Sequence, residues 1–247
     1  MKEKSTTEAM QMPWVALGVS QQAYEDFMSF WKTMKDNEQL MSPRVILWLN
    51  GAPGAGKGTN ASYLQDIFNI MHPPLVTSDL LNGLEFKKIK DSGALVSDGD
   101  VTKLVFSCLL SKKYASGIVV DGYPRTKVQA ECVKLLHHAL QMKQQKSDFQ
   151  VVVLDVSEKV SIERQLGRGK RAVKNNERVQ QTGQGEVQPI RATDTDPKAA
   201  KVRYRVFVQQ TNDALDVLQH EFPCHRIEAG GSFDEVRSAI YDSFKSL

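Results

Sequence analysis

The chain has 247 residues, 41% of them hydrophobic, and a formal net charge of +3. This length and composition predict one α/β domain with insertions around one substantial core, and so small a net charge does not indicate a nucleic-acid surface. The three cysteines, Cys108, Cys132 and Cys224, are widely spaced, which argues against a disulfide framework or a zinc site. Without an apolar run of membrane-spanning length or a secretory signal, we expect a soluble cytoplasmic protein with no membrane partner.

The first 43 residues predict an extension that carries one amphipathic helix. Residues 20–41 form this helix in our prediction because five apolar side chains recur at helical spacing: Tyr24, Phe27, Met28, Trp31 and Met34. Ser42-Pro43 ends it. We expect the aromatic stripe to pack on the body of a monomer, with a dimer contact as the open alternative.

From Val45 onward, short β-branched or apolar runs alternate with helical patterns. We predict strands at 45–50, 75–78, 117–121, 150–156 and 225–229. This alternation is typical of βαβ units and of a parallel sheet covered by helices. Ligands of such sheets bind at the carboxyl ends of the strands.

A glycine-rich loop that ends in lysine follows the first predicted strand, and an amphipathic helix follows the loop. Its glycines allow successive backbone N–H groups to surround an anion, while the helix N-terminus adds partial positive charge and the lysine reaches the β- and γ-phosphates. The sequence therefore predicts a nucleoside triphosphate site formed by Gly51, Ala52, Pro53, Gly54, Ala55, Gly56, Lys57, Gly58 and Thr59.

The loop has the form G-x-P-G-x-G-K-G-T, with Gly58 at the position where many triphosphate loops have a hydroxyl residue. This form resembles the adenylate kinase family. The resemblance implies a P-loop kinase fold over residues 44–247: a three-layer α/β/α arrangement around a five-stranded parallel sheet. It also implies ATP with Mg²⁺ as the phosphoryl donor, a monophosphate-binding region at about 77–106, and a lid at about 169–190.

Two motifs resemble the acceptor side of that family. Residues 75–82 are similar to its S-T-G-D-L-L-R, and residues 93–98 to its G-x-L-V-x-D. The resemblance implies that Thr77 and the backbone of Val96 contact the acceptor nucleotide. Asn82 takes the place of the arginine that grips the acceptor phosphate, and the region looks shortened. Our hypothesis is that one of the downstream lysines, Lys87, Lys88 or Lys90, substitutes for it, although a solvated lysine-rich face is equally compatible with the spacing.

The motif D-G-Y-P-R-T over residues 121–126, followed by Gln129, adds a third block. A carboxylate that ends a buried strand beside a phosphate loop can hold hydrated magnesium, so Asp121 is the metal candidate, acting through water. Arg125 can bind a phosphate bidentately, and Gln129 offers a donor and an acceptor to a base edge. The family has a similar motif in which the glutamine reads adenine, and we assign Gly122 to the acceptor site as well.

Four further arginines complete the set. Arg164 and Arg168 lie on one helix face. In the family, the first stacks on the adenine of ATP and the second reaches its phosphates, whereas spacing alone fits a solvated basic face. Arg191 and Arg203 resemble the pattern that closes the lid. Residues 169–190 are polar and lack an apolar period, which predicts a mobile surface insertion.

Transfer of a γ-phosphoryl group requires positioning and positive charge, and the predicted catalytic residues supply both: Lys57, Arg125, Arg164, Arg168, Arg191 and Arg203. Our leading hypothesis is a kinase that converts ATP and AMP into two ADP. Asn82 leaves open a relative that accepts UMP or CMP. A nucleotide-binding scaffold with weak or no turnover is the third hypothesis, and an ADP-forming assay with several acceptors separates the three.

Overall fold

The computed structural model describes residues 14–34, 40–82 and 96–245. Its strands are β1 (Val45–Gly51), β2 (Leu75–Val76), β3 (Ile118–Asp121), β4 (Asp148–Asp155) and β5 (Cys224–Glu228). They form one five-stranded sheet in the order β2-β3-β1-β4-β5, and every neighbouring pair is parallel. The predicted parallel α/β sheet is confirmed.

Eight α-helices belong to the described ranges: α1 (Gln21–Met34), α2 (Lys57–Phe68), α3 (Thr77–Leu80), α4 (Asp98–Leu109), α5 (Lys127–Met142), α6 (Glu158–Thr182), α7 (Pro197–Glu221) and α8 (Phe233–Phe244). Short 3-10 helices lie at Trp14–Leu17, Lys112–Tyr114 and Ala192–Asp194. Within those ranges, none of the helices combines the length and apolar character that crossing a membrane requires.

Side chains of β1 alternate between two hydrophobic cores. Ile46 and Trp48 lie in the core formed with α1, α4, α5 and the second half of α7. Leu47 and Leu49 lie in the opposite core, which α2 and α8 cover. A strand buried on both faces in this way explains the uninterrupted apolar run of β1. The helices on both faces complete the predicted three-layer arrangement.

The helix of the N-terminal extension packs on the body of the protein. Phe27, Phe30 and Trp31 are buried, and the Phe30 ring meets that of Phe106 in α4 edge to face, with centroids 5.4 Å apart. The described part of α1 ends at Met34, and residues 35–39 of the predicted helix lie outside the described ranges.

The ends of β1, β3, β4 and β5 differ from the predicted ones by one or two residues, and two further differences change the type of element. The second strand contains only Leu75 and Val76, because Thr77 already begins α3. Among the strands of the described residues it pairs only with β3, which ends at Asp121 opposite Val76. No ladder there remains for Thr77 to continue. The polar segment 169–190 begins as helix, since α6 runs to Thr182 and is capped by Gly183 with φ +67°. Only residues 183–190 lack regular structure.

Candidate active site

The glycine-rich loop connects β1 to α2 at the carboxyl edge of the sheet. There, the connection after β1 runs toward β2, whereas the connection after its neighbour β4 runs the other way, toward β5. Ligands of open parallel sheets bind at such a point of divergence. Gly51, Gly54 and Gly56 have φ values of +150°, +79° and +88°. At Gly51 a Cβ atom would also lie 2.6 Å from the Leu154 carbonyl oxygen, so only glycine fits. This backbone is of the kind that forms an anion-binding concavity.

Lys57, the first residue of α2, folds back over the loop. Its Nζ donates hydrogen bonds to the carbonyl oxygens of Gly51, at 2.7 Å, and of Ala52, at 3.3 Å. Burial lowers the pKa of Lys57 to about 8; Asp121 opposes this effect, and Arg125 with other nearby arginines adds to it. The ammonium group therefore lies in a site where an anionic ligand would favour its charged form.

Asp121 ends β3 and lines the same cleft as Lys57. Burial raises its pKa, while Lys57 and Arg125 counteract the rise. Arg125 is held by a hydrogen bond from its Nε to the Gly122 carbonyl oxygen at 2.7 Å, and a Cβ at Gly122 would lie 2.8 Å from Arg125 Nη2. The glycine therefore leaves room for the guanidinium. Burial lowers the pKa of Arg125 as well.

Arg164 and Arg168 of α6 both line the cleft, but they are held differently. The Arg164 guanidinium donates to the carbonyl oxygens of Ala229, Gly230 and Gly231, at 2.7, 3.2 and 2.9 Å. It thereby ties α6 to the loop after β5. Arg168 pairs through Nη2 with the buried Asp194 carboxylate at 2.5 Å.

The 3-10 turn Ala192–Asp194 packs directly on α6. A Cβ at Gly169 would lie only 2.0 Å from the Asp194 carbonyl oxygen, so this glycine permits a backbone contact. Burial would raise the pKa of Asp194, but hydrogen bonds from Arg168 and from the Arg191 backbone N–H hold that pKa below its usual value. The turn therefore fixes the position of Arg168, one of the arginines that cluster in the cleft.

Arg203 of α7 joins the cluster through a hydrogen bond from Nη1 to Thr193 Oγ1 at 3.1 Å. Burial, and then Arg191, Arg168 and Arg125, lower its pKa. Mutual repulsion among these guanidinium groups makes the cluster a receptor for a highly charged anion. Both Arg191 and Arg203 line the cleft. Arg191 is exposed.

The structure brings the predicted donor-side residues together around one cleft of about 990 Å³. Its lining includes most of the phosphate loop, from Pro53 to Thr59, with Asp121 and all of the predicted arginines. Gly51 and Ala52 are buried beneath the loop. These positions lie on five separate segments of the chain. The sheet places the phosphate loop, Asp121 and the loop after β3 at its carboxyl edge, and α6, α7 and the segment before the Ala192–Asp194 turn bring the other arginines to that edge.

The predicted acceptor residues divide into two groups. Asn82 is exposed and lines the cleft. Thr77 is buried and donates through Oγ1 to the Asp121 carbonyl oxygen at 3.0 Å, while Gln129 is buried and hydrogen-bonded to Asp98 and to the Arg125 backbone. Val96 is half-buried against the core. Lys87, Lys88 and Lys90 lie outside the described residues.

Sequence reasoning missed several cleft residues. Arg171 lines the cleft one helical turn beyond Arg168, and their i, i+3 spacing was the available signal. Ser232 and Phe233, at the start of α8, also line it. Ser232 caps that helix in a capping box with Glu235, a pattern legible in the sequence, but nothing local predicts that it faces the phosphate loop.

The fold and this cleft define a P-loop phosphotransferase: an open parallel sheet with a glycine-rich loop after its central strand, opposite a cluster of arginines. The family model for adenylate kinase matches residues 49–222. The chain belongs to the adenylate kinase family.

Curated relatives match most of the chain. An adenylate kinase of Stenotrophomonas maltophilia is 32% identical over 81% of this chain and 99% of its own. One of Fusobacterium nucleatum is 34% identical over 79% and 96%, and one of Xanthomonas campestris is 31% identical over 78% and 96%. The match therefore spans nearly the whole length of each relative.

Proposed function

We propose that the protein transfers the γ-phosphoryl group of ATP to AMP and so forms two ADP. The observation that carries this proposal is a single cleft lined by the phosphate loop, by Asp121 and by Asn82 on the acceptor side. All five predicted arginines line the same cleft, together with Arg171. A donor triphosphate and an acceptor phosphate would meet there. The printed name of the relatives, adenylate kinase, supports AMP as the acceptor.

On the donor side, the phosphate loop would hold the β- and γ-phosphates through backbone N–H groups, with Lys57 close to the γ-phosphate. Arg164 would lie beside the base and phosphates of ATP. Its three carbonyl contacts orient the guanidinium and fix the loop after β5. Ser232 and Phe233, at the end of that loop, would form the adjacent wall.

The transferring phosphoryl group would lie among Arg125, Arg168, Arg191 and Arg203. Preorganised positive charge of this kind stabilises a transition state because no reorganisation is needed during the reaction. The lowered pKa values of Arg125 and Arg203 follow first from burial and then from neighbouring arginines, with Arg191 acting on both. In the ligand-free site these guanidinium groups are therefore desolvated and repel one another, and the negative charge of bound phosphates would offset both effects.

Asp121 fits magnesium held through water. Its carboxylate lines the cleft beside Lys57, and the hydrogen bonds found in the described part of the chain include none to that carboxylate. Mg²⁺ keeps several waters and needs only one or two protein carboxylates when phosphates supply other ligands. When bound, the ion would neutralise charge on the donor phosphates.

Residues 169–190 would act as the lid, and 77–106 as the acceptor region. The helical part of the lid carries Arg171 into the cleft, so movement of α6 relative to the sheet would change the phosphate environment. Closure would exclude water, which otherwise competes with the acceptor. The three free cysteines support the cytoplasmic location that we propose, because reducing compartments keep thiols unpaired.

The test is ADP formation from ATP with AMP, CMP, UMP or GMP as acceptor. We expect turnover with AMP; a clear preference for UMP or CMP would assign the other kinase specificity to the chain. ATP binding without turnover of any acceptor would leave the scaffold hypothesis. Arg203→Lys should lower kcat by about a hundredfold, because one preorganised donor is displaced. The exposed Arg205 offers a matched control, and Arg205→Lys should leave kcat unchanged.

A further inference from the structure

The side-chain amide of Gln129 is held at both ends. Gln129 lies in the first turn of α5 and is buried. Its Oε1 accepts a hydrogen bond from the Arg125 backbone N–H at 2.8 Å. Its Nε2 donates to Oδ1 of Asp98, in the first turn of α4, at 2.8 Å. The amide therefore connects the loop that carries Arg125 with helix α4.

The two partners fix which way the amide points. A backbone N–H can only donate, and a carboxylate can only accept. The reversed amide would turn its NH₂ group toward the Arg125 N–H and its oxygen toward the Asp98 carboxylate, so both contacts would become repulsive. The hydrogen-bond network thus permits a single orientation of the Gln129 side chain.

Asp98 is itself firmly placed. Ser97 caps α4 by accepting from the Asp100 N–H at 3.1 Å, and Gly99 packs so closely on α1 that a Cβ there would lie 2.7 Å from Asp26 Oδ1. Helix α1 thus supports the turn that carries Asp98, and Asp98 in turn orients Gln129.

A fixed amide retains one N–H on Nε2 and one lone pair on Oε1 for a ligand. Adenine and cytosine present an amino donor beside a ring-nitrogen acceptor. The amino group can donate to Oε1 while the ring nitrogen accepts from Nε2, so these bases complement the fixed amide. Hypoxanthine, guanine and uracil present an oxo acceptor beside a ring N–H, which opposes it. A site whose polar groups are fixed rejects the analogue of reversed polarity, because its buried groups are then left unpaired.

We propose that Asp98 is a positioning residue that determines acceptor specificity: by locking the Gln129 amide, it selects monophosphates with an amino-bearing base over those with an oxo base. This inference rests on the proposed function and on the expectation from the sequence that Gln129 reads the acceptor base. It assigns the discrimination to a residue that need not touch the nucleotide.

AMP and IMP form the matched probe pair, since they differ only in the amino or oxo group and the adjacent ring proton. The wild-type protein should have a higher kcat/KM for AMP than for IMP, and for CMP than for UMP. In Asp98→Asn, whose amide can donate or accept, the AMP-to-IMP ratio of kcat/KM should fall by about tenfold, a factor typical of one hydrogen bond. The change should appear in the KM for AMP, while the KM for ATP stays within about twofold.

Asp100→Asn is the control, because it removes the same charge from the same helical turn without touching Gln129. It should leave the AMP-to-IMP ratio unchanged, and thermal melting should confirm that both variants are folded. An unchanged ratio in folded Asp98→Asn would overturn the inference, as would wild-type turnover of IMP equal to that of AMP, which requires no variant. If no monophosphate is turned over at all, the proposed function fails instead, so the two failures are distinguishable.

Discussion

Replacement of Gly169 by alanine should weaken catalysis from a position outside the nucleotide contacts. The new Cβ would lie 2.0 Å from the Asp194 carbonyl oxygen and 2.7 Å from its carbonyl carbon. Ordinary contact is about 3.4 Å, so α6 and the Ala192–Asp194 turn must separate by about 1.4 Å. That turn positions Arg168 through Asp194 and Arg203 through Thr193. Because a displacement of about 1 Å can cost about a hundredfold, we expect a hundredfold lower kcat.

The same substitution has opposing effects on stability. Alanine favours a helix interior over glycine by about 1 kcal/mol, whereas overpacking costs about 1–3 kcal/mol. The net loss should be about 1 kcal/mol, which lowers the melting temperature by about 2–4 °C in a chain of this size.

Gly167→Ala provides the control two residues away on the same helix. The nearest atom to its Cβ is the tip of Arg171 at 3.5 Å, an ordinary contact. We expect this variant to melt at a slightly higher temperature with kcat unchanged. Steady-state ADP formation and thermal melting of the two variants test the reasoning. A kcat within twofold of wild type for Gly169→Ala, or equal losses in both variants, would refute it.

Three further predictions concern separate parts of the molecule. The pKa of about 8 for Lys57 implies that the ligand-free ammonium loses its proton as pH rises through 8, so kcat/KM for ATP should decline above that pH; a profile that stays flat to pH 10 would contradict this. Asn82→Arg should lower the KM for AMP by about thirtyfold, because an arginine–phosphate contact contributes about 2 kcal/mol, and an unchanged KM would place the acceptor phosphate elsewhere. Ser20 donates to the buried Glu131 carboxylate at 2.5 Å and caps α1, so Ser20→Ala should cost about 1–3 kcal/mol of unfolding free energy in denaturant titrations; no loss would mean that water replaces the hydroxyl.

The sequence allowed the donor side to be predicted because its signals are local. The glycine loop, the strand before it and the helix after it are contiguous. Asp121 is the last residue of another strand, and Arg125 lies in the loop that follows. A parallel sheet then brings strand ends to one edge regardless of their separation in the chain. The positions that escaped prediction depend on distant partners. Arg164 itself was predicted, but not its contact with a loop about 65 residues away; likewise, no local pattern encodes the contact of Gly169 with Asp194.

The missed part of α6 has a different cause. Residues 170–182 lack an apolar period, but they contain no proline or glycine and include several lysines, arginines and glutamines. These residue types favour helix even where no face is buried, and Gly183 supplies the stop signal. Periodicity predicts helices that pack on a core; propensity and capping are the better guide for a helix that projects from it.

The N-terminal helix is part of the core rather than an appendage to it. The rings of Phe27 and Phe30 contact that of Phe106, and the Phe106 ring meets Tyr123 with centroids 5.8 Å apart. Tyr123 lies in the same loop as Arg125, and its hydroxyl donates to the Gln129 carbonyl oxygen at 3.3 Å. Interiors are close-packed and transmit small shifts. Loosening α1 should therefore disturb the acceptor side of the cleft before the phosphate loop, which packs on the opposite face of the sheet.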